Sequence, residues 1–246
     1  VRYDDRHAEL YDDRFRERFD EAEEAAAFLA GLDRPPGPVL ELGIGTGRLA
    51  LPLLGRGVDV RGVDASPAMV ARLRGKPGGD RIPVAVGDFV ALATLVDDRF
   101  SLIFLAFNTL FELGSQDEQV RCFCGVADRL LPGGLFVVEA VVPDLSNAGD
   151  GIAVVAVDDG AVRLQDTHHD PLAQVVTGET VTVGDTGTER WPWSIRYATV
   201  PEIDLMARVA GLRLRARHGG WSGEPFTADS PRHVSVYEPP PPFLAR

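Results

Sequence analysis

The chain has 246 residues, 45% of them apolar, enough to bury a sizeable core as one large domain or as a domain carrying a small insertion. A formal net charge of −12 with no offsetting basic stripe makes nucleic acid a poor partner, because a phosphate backbone would be repelled. No run of 18 or more apolar residues is present, so no membrane span is expected; Val1 to Asp20 lacks the apolar stretch of a secretory signal, and the expectation is a cytoplasmic protein.

In chain order, Asp5 to Leu32 reads as one helix, with apolar residues at three- to five-residue spacing, closed by Gly31 and the proline cluster at 35–38. Alternation follows. Strands are expected at Val39–Leu42, Val58–Val63, Ile82–Val86, Phe100–Phe107 and Leu135–Val142, and helices at Thr46–Leu54, Pro67–Leu73 and Asp117–Leu131. Ser66 and Pro67 form a helix start. Such strands argue a parallel sheet with helices on both faces. From Gly151 to Trp193, short β-branched runs separated by Gly and Asp read as an antiparallel meander. A helix at Pro201–Ala210 and strands at Leu212–His218 and His233–Tyr237 close the chain, and Pro239 to Pro242 stop the sheet. The two cysteines, Cys122 and Cys124, fall two apart on one helix, which suits free thiols rather than a disulfide or a zinc site.

The first strand runs into Gly43-Ile44-Gly45-Thr46-Gly47, where glycines let the backbone approach a ligand and the following helix offers free N–H groups to an anionic group. A dinucleotide fold wants G-x-G-x-x-G; here Arg48 stands where its third glycine would be. Glu41 precedes the first glycine by two residues. Asp64 ends the second strand in Val-Asp-Ala65-Ser, placed for a ribose diol; taken alone it could also be a helix cap or a solvated loop acid. Gly87-Asp88-Phe89 follows the third strand, and the fourth ends near Ala106 and Phe107, at the carboxyl edge where α/β folds bind ligands. Leu130 to Leu135 supplies the turn into the fifth strand.

These five elements, in this order over roughly residues 37 to 142, resemble the class I S-adenosylmethionine (SAM)-dependent methyltransferases. The resemblance implies a Rossmann-like, doubly wound α/β sheet of seven strands, the last antiparallel, built from 1–142 and 199–246, with an inserted antiparallel β cap at 143–198. It implies SAM as cofactor and S-adenosylhomocysteine as product. Glu41 would hold the methionine end, with Gly43, Gly45 and Gly47 lying against it. Asp64 and Ala65 would take the ribose, Asp88 and Phe89 the adenine, and Ala106 and Phe107 the strand edge. Tyr11, in a Tyr-Asp segment like that of many members, would close over SAM, or equally would pack its helix on the sheet.

The acceptor side is read from absences and from the meander. No Asn/Asp-Pro-Pro-Tyr follows the fourth strand, against nucleobase amines and glutamine amides, and Phe107-Asn108-Thr109 replaces the acidic metal cluster of catechol-type enzymes. The pattern is similar to small-molecule enzymes, among them amino-sugar N-methyltransferases. Asn108, His168 and Tyr197 are the catalytic candidates, and no metal is expected. His168 and His169 are adjacent on a strand, so only one can face a pocket. Trp191, Trp193, Arg196 and Tyr197 either line that pocket or cap an apolar edge. The expected reaction moves the SAM methyl to nitrogen or oxygen of a small metabolite. A non-catalytic SAM-binding sensor or scaffold, and an NAD(P)-dependent oxidoreductase, are the alternatives. Cap strands can mediate a homodimer.

Overall fold

In the computed structural model, which describes residues 5–144, 149–158, 160–185 and 187–240, three short helices come first: α1 (Asp5–Arg14), α2 (Arg16–Asp20) and α3 (Ala22–Gly31). The single helix expected from periodicity breaks at Phe15, whose backbone leaves the helical region (φ −110°, ψ 26°). The break turns its ring onto Tyr11, Phe107 and Trp191, at centroid distances of 4.8, 5.2 and 6.2 Å. Tertiary aromatic packing overrides a continuous helical period here.

The chain then alternates through β1 (Val39–Leu42), α4 (Ala50–Gly55), β2 (Val60–Asp64), α5 (Pro67–Arg74), β3 (Val84–Val86), α6 (Leu92–Leu95), β4 (Phe100–Leu105), α7 (Gln116–Arg129) and β5 (Leu130–Val141). Four strands complete a separate sheet: β6 (Gly151–Asp158), β7 (Ala161–Asp170), β8 (Val175–Gly184) and β9 (Gly187–Arg196). Then α8 (Val200–Val209), β10 (Arg213–His218) and β11 (Arg232–Glu238) return to the first sheet. That sheet has the order β10-β11-β5-β4-β1-β2-β3. Its first five strands are parallel, and β11 runs antiparallel to both β5 and β10, as expected of the last strand.

Alternation along the strands sorts side chains onto two buried faces. Leu40, Leu42, Ile103, Leu105, Phe136 and Val138 pack with Phe123 and Val126 of α7 and Ile203 and Met206 of α8. Val39, Leu102, Phe104, Leu135 and Val137 pack with Ala25, Ala26 and Leu29 of α3 and Leu53 of α4. Helices on both faces are thus what makes the strands apolar throughout. Cys122, buried on α7, and Cys124 are both free thiols.

Two further expectations shift. The helix expected from Thr46 begins only at Ala50, because Gly45 (φ 54°) and Gly47 (φ 84°) hold left-handed backbone that no helix can include. The strand expected to reach Phe107 stops at Leu105, because Phe107 and Asn108 are themselves left-handed (φ 54° and 62°).

The cap is a meander, β6-β7-β8-β9, with register unbroken between β7 and β8 and between β8 and β9. It is tied down by Arg196, 4% exposed, which donates to Gln119 of α7, to Gln174 at 2.8 Å and to Glu202 of α8 at 2.7 Å. Among the described residues, no helix is long and apolar enough to cross a membrane.

Candidate functional site

The carboxyl ends of β1, β2 and β4 converge where the helical connections part. At the end of β1, Gly43 (φ 70°) turns the chain so tightly that a Cβ there would lie 2.5 Å from Thr109 Cγ2. At the end of β2, Asp64 (9% exposed) accepts hydrogen bonds from Gly45 N at 2.7 Å through Oδ2 and from Ser66 N at 2.8 Å through Oδ1. Burial raises its pKa, and those two amides pull the other way. A carboxylate offers about four acceptor positions, so lone pairs remain for a diol.

Glu41, 5% exposed, is the unusual group. Its Oε2 has no hydrogen-bond partner among the described residues. Burial pushes its carboxyl up to about 8, with the Arg48 guanidinium opposing the shift. A buried, unpartnered carboxylate oxygen costs free energy unless a ligand satisfies it.

Two cavities meet here. One, of about 70 Å³, is lined by Asp64, Ala65, Ser66, Met69 and Phe89. The second, of about 170 Å³, is lined by Glu41, Thr46, Arg48, Ala106, Phe107, Asn108, Phe15 and Ile195. Tyr11, Gly43, Gly45, Thr109 and Glu112 line both. The first cavity thus offers a diol acceptor and apolar walls, which suit a nucleoside. The second offers an acid and a guanidinium, which suit the two ends of an amino acid. Gly43, Gly45 and the orphaned Glu41 oxygen fit such a ligand: any side chain at Gly43 would fill the space, and an ammonium would satisfy the acid.

Helix α1 forms one wall and is fastened to the glycine turn. Asp12 Oδ1 accepts from Thr46 Oγ1 at 2.5 Å, and Lys76 Nζ lies 2.5 Å from Asp12 Oδ2 and donates to Thr46 O at 2.9 Å. This holds Tyr11 over both cavities; burial first, and the Glu112 carboxylate second, raise the pKa of its hydroxyl. The cap reaches the second cavity through Ile195 of β9, while Trp191 of the same strand packs edge-on to His7 at 4.4 Å and lies under Arg14 at 4.5 Å.

The cofactor-side candidates Tyr11, Glu41, Gly43, Gly45, Asp64, Ala65, Phe89, Ala106 and Phe107 therefore stand together around the two cavities. Gly47 and Asp88 line neither. Gly47 packs on α5, where a Cβ would meet Leu73 Cδ1 at 2.3 Å, and Asp88 caps its own turn by accepting from Val90 N at 2.9 Å. Of the catalytic candidates, Asn108 lines the second cavity, but its Oδ1 accepts from Val141 N at 2.7 Å, binding the β4 turn to β5.

His168 and Tyr197 line neither cavity. The β8–β9 and β7–β8 registers set His169, Val176 and Ile195 across from one another on the face that reaches the cavity, so His168 points to the other face. Its side chain is 71% exposed, with Nδ1 3.0 Å from Asp150. Tyr197 is buried in the core, its hydroxyl 3.0 Å from His169 Nε2. Sequence reasoning missed Arg48, Thr109, Glu112, Phe15 and Ile195. For Glu112 a signal was present: it is the lone charge in the apolar run Leu110-Phe111-Glu112-Leu113. For Ile195 none was, because only the register of β9 carries it to the site.

Residues 39–134 match a family model described as a methyltransferase domain. The cypemycin N-terminal methyltransferase of a Streptomyces species is 31% identical over 203 residues, covering 81% of this chain and 82% of that one. Among solved structures, the CcbJ methyltransferase of Streptomyces caelestis is 41% identical with a TM-score of 0.84, covering 90% of each chain. DesVI of Streptomyces venezuelae, 21% identical over 95% of this chain and 98% of its own, shares the fold with a TM-score of 0.72.

Proposed function

Because the chain belongs to the SAM-dependent methyltransferases, we propose that it transfers the methyl group of SAM to an amine nitrogen of a small molecule, releasing S-adenosylhomocysteine. The observation that carries the choice of nitrogen is the acidic lining of the two cavities, Glu41, Asp64 and Glu112 with one guanidinium, which suits an amine better than a neutral hydroxyl; among the described residues that lining holds no histidine. A hydroxyl acceptor usually needs a base to remove its proton, whereas a neutral amine brings its own lone pair. The name of the 31%-identical relative, an N-terminal methyltransferase, supports the same choice.

Bound SAM would supply an electrophilic methyl on a sulfonium. The chain's part is to bind, orient and exclude water. Glu41 would take the cofactor's ammonium with its unpartnered oxygen, and Arg48 its carboxylate. Asp64, fixed by two backbone amides, would accept from the ribose hydroxyls, and Phe89 would pack against the adenine. Tyr11 and Phe15 from the N-terminal helices, with Ile195 from the cap, close the site toward solvent and hold the acceptor close to the methyl group. Such positioning can supply about 7 kcal/mol or more of barrier reduction where alignment is ideal.

A homodimer belongs to the same proposal. Strand β6 is the free edge of the cap sheet, and Ile152, Val154 and Val157 on it are 74%, 61% and 71% exposed. An edge strand rich in β-branched residues, with no charge from 151 to 157, is a ready surface for pairing with a second copy.

Calorimetric titration with SAM, S-adenosylhomocysteine and NAD⁺, followed by a screen of amines and hydroxyl compounds for S-adenosylhomocysteine release, tests this reading. Turnover on amines supports it; turnover confined to hydroxyl compounds sinks the nitrogen assignment. Tight binding with no turnover on any acceptor would favour a sensor or scaffold.

A further inference from the structure

Glu112 lies on the single turn of 3-10 helix (Thr109–Glu112) that follows β4, and it lines both cavities. Resting on the cofactor reading above, the nucleoside occupies the first cavity and the amino-acid end the second. The atom joining those two halves of SAM is the sulfonium, so a residue that lines both cavities stands beside the reacting centre. Glu112 is the only carboxylate among the five residues shared by the two cavities. Its charge is felt there: of the charged groups around the Tyr11 hydroxyl, Glu112 has the largest influence. A second observation points to a cationic occupant of the same cleft, the buried Glu41 with its unpartnered oxygen in the second cavity.

We propose that Glu112 is a positioning residue that recognises positive charge at the reacting centre, first on the sulfonium and then on the acceptor nitrogen. The balance is simple. The amine lone pair forms the new N–C bond, the C–S pair returns to sulfur, and the positive charge moves from sulfur to nitrogen. Glu112 faces that charge before and after transfer, and accepts a hydrogen bond from an N–H of the acceptor, which leaves the lone pair directed at the methyl. The proton of the product ammonium leaves to water when the product departs. A carboxylate at this point, on a side chain that remains solvent-exposed in the unliganded site, lowers the cost of charge appearing on nitrogen.

The test uses three ligands of one shape and two charges, so no acceptor need be known. SAM carries a sulfonium, sinefungin carries an ammonium-bearing carbon in place of the methyl-bearing sulfur, and S-adenosylhomocysteine is neutral there. Calorimetry on the full chain compares wild type with Glu112→Gln and Glu112→Asp, and with Asp117→Asn as a charge control on an exposed helix position. Glu112→Gln is expected to weaken SAM and sinefungin by about 3- to 30-fold, the range for one charge pair at a partly solvated distance, while S-adenosylhomocysteine holds its affinity. Glu112→Asp should restore part of the loss, and Asp117→Asn should change nothing. Equal weakening of all three ligands, or no weakening of any, overturns the proposal. Failure of wild type to bind any of them instead overturns the cofactor reading on which it rests.

Discussion

Lys76 Nζ and Asp12 Oδ2 stand 2.5 Å apart, and the pair fastens the first helix to the glycine turn. Lys76 is the only lysine in the chain, and it also donates to Thr46 O, within the turn itself. The pair is about three-quarters buried on each side, so it is worth more than a fully exposed ion pair. Its loss acts on the helix that carries Tyr11. Lys76→Met is expected to raise the rate of S-adenosylhomocysteine release by about fivefold, about 1 kcal/mol and at the upper end for a partly exposed pair, with little change in melting temperature. Stopped-flow displacement measures the rate; an unchanged rate would show that α1 is held without the Lys76 pair, by the Asp12–Thr46 bond and its aromatic contacts.

With Glu41 as the proposed partner of the cofactor's ammonium, binding is expected to depend on pH. Burial pushes its carboxyl from an ordinary 4.5 up to about 8, which favours a proton on the unliganded protein that the unfolded chain gives up. That contribution is fully present below pH 4.5, declines as pH rises from 4.5 to 8, and is gone above 8. An ammonium in the site needs the carboxylate, so SAM binding at neutral pH should release close to one proton. Titrations in two buffers of different ionisation enthalpy count it. Glu41→Gln should abolish the release and weaken SAM binding; a release unchanged in that variant would place the titrating group elsewhere.

Asp64 anchors the glycine turn and, in the proposed reading, also takes the ribose. Asp64→Asn keeps the shape but offers one acceptor oxygen to the two amides now held by the carboxylate. The expected loss is about 1–3 kcal/mol of stability, with a SAM affinity lowered at least tenfold. Denaturant melts with and without SAM separate the two effects. A variant that loses stability but keeps full affinity would remove the ribose role.

The cap should loosen when Arg196 is removed. Arg196→Met takes away a buried cation but leaves Glu202 partnered by Gln116 at 2.7 Å and Gln174 at 2.9 Å. The cost expected is about 3 kcal/mol. Amide exchange should rise in β8 and β9 before it rises in β1 or β4; uniform acceleration would mean that cap and sheet unfold as one unit.

The edge strand β6 offers a direct test of assembly. Val154→Arg puts a charge on a side chain that is 61% exposed. If two copies pair here, sedimentation velocity shows dimer in wild type and monomer in the variant. A wild-type monomer across the concentration range would end the proposal.

The alternation of apolar strands and helices determined the doubly wound sheet from sequence alone, because strands buried on both faces leave a nearly continuous apolar signature that few other settings tolerate. The glycine turn was equally legible: Gly43 and Gly45 stand where the backbone needs left-handed angles, and Glu41 and Asp64 sit at strand ends that any such sheet brings together. What the sequence could not decide were the positions set by contacts distant in the chain. Phe15 breaks a helix because rings at positions 107 and 191 wait for it, and Gly47 is packed closely against Leu73 of α5. In the same way, His168 and His169 are equivalent on a strand until the register of β7 against β8 turns one of them inward. Glu112 and Ile195 reach the site only through the turn after β4 and the register of β9. Local propensity and periodicity carry the elements, but a site is a meeting of side chains from several of them, and that meeting is fixed by packing.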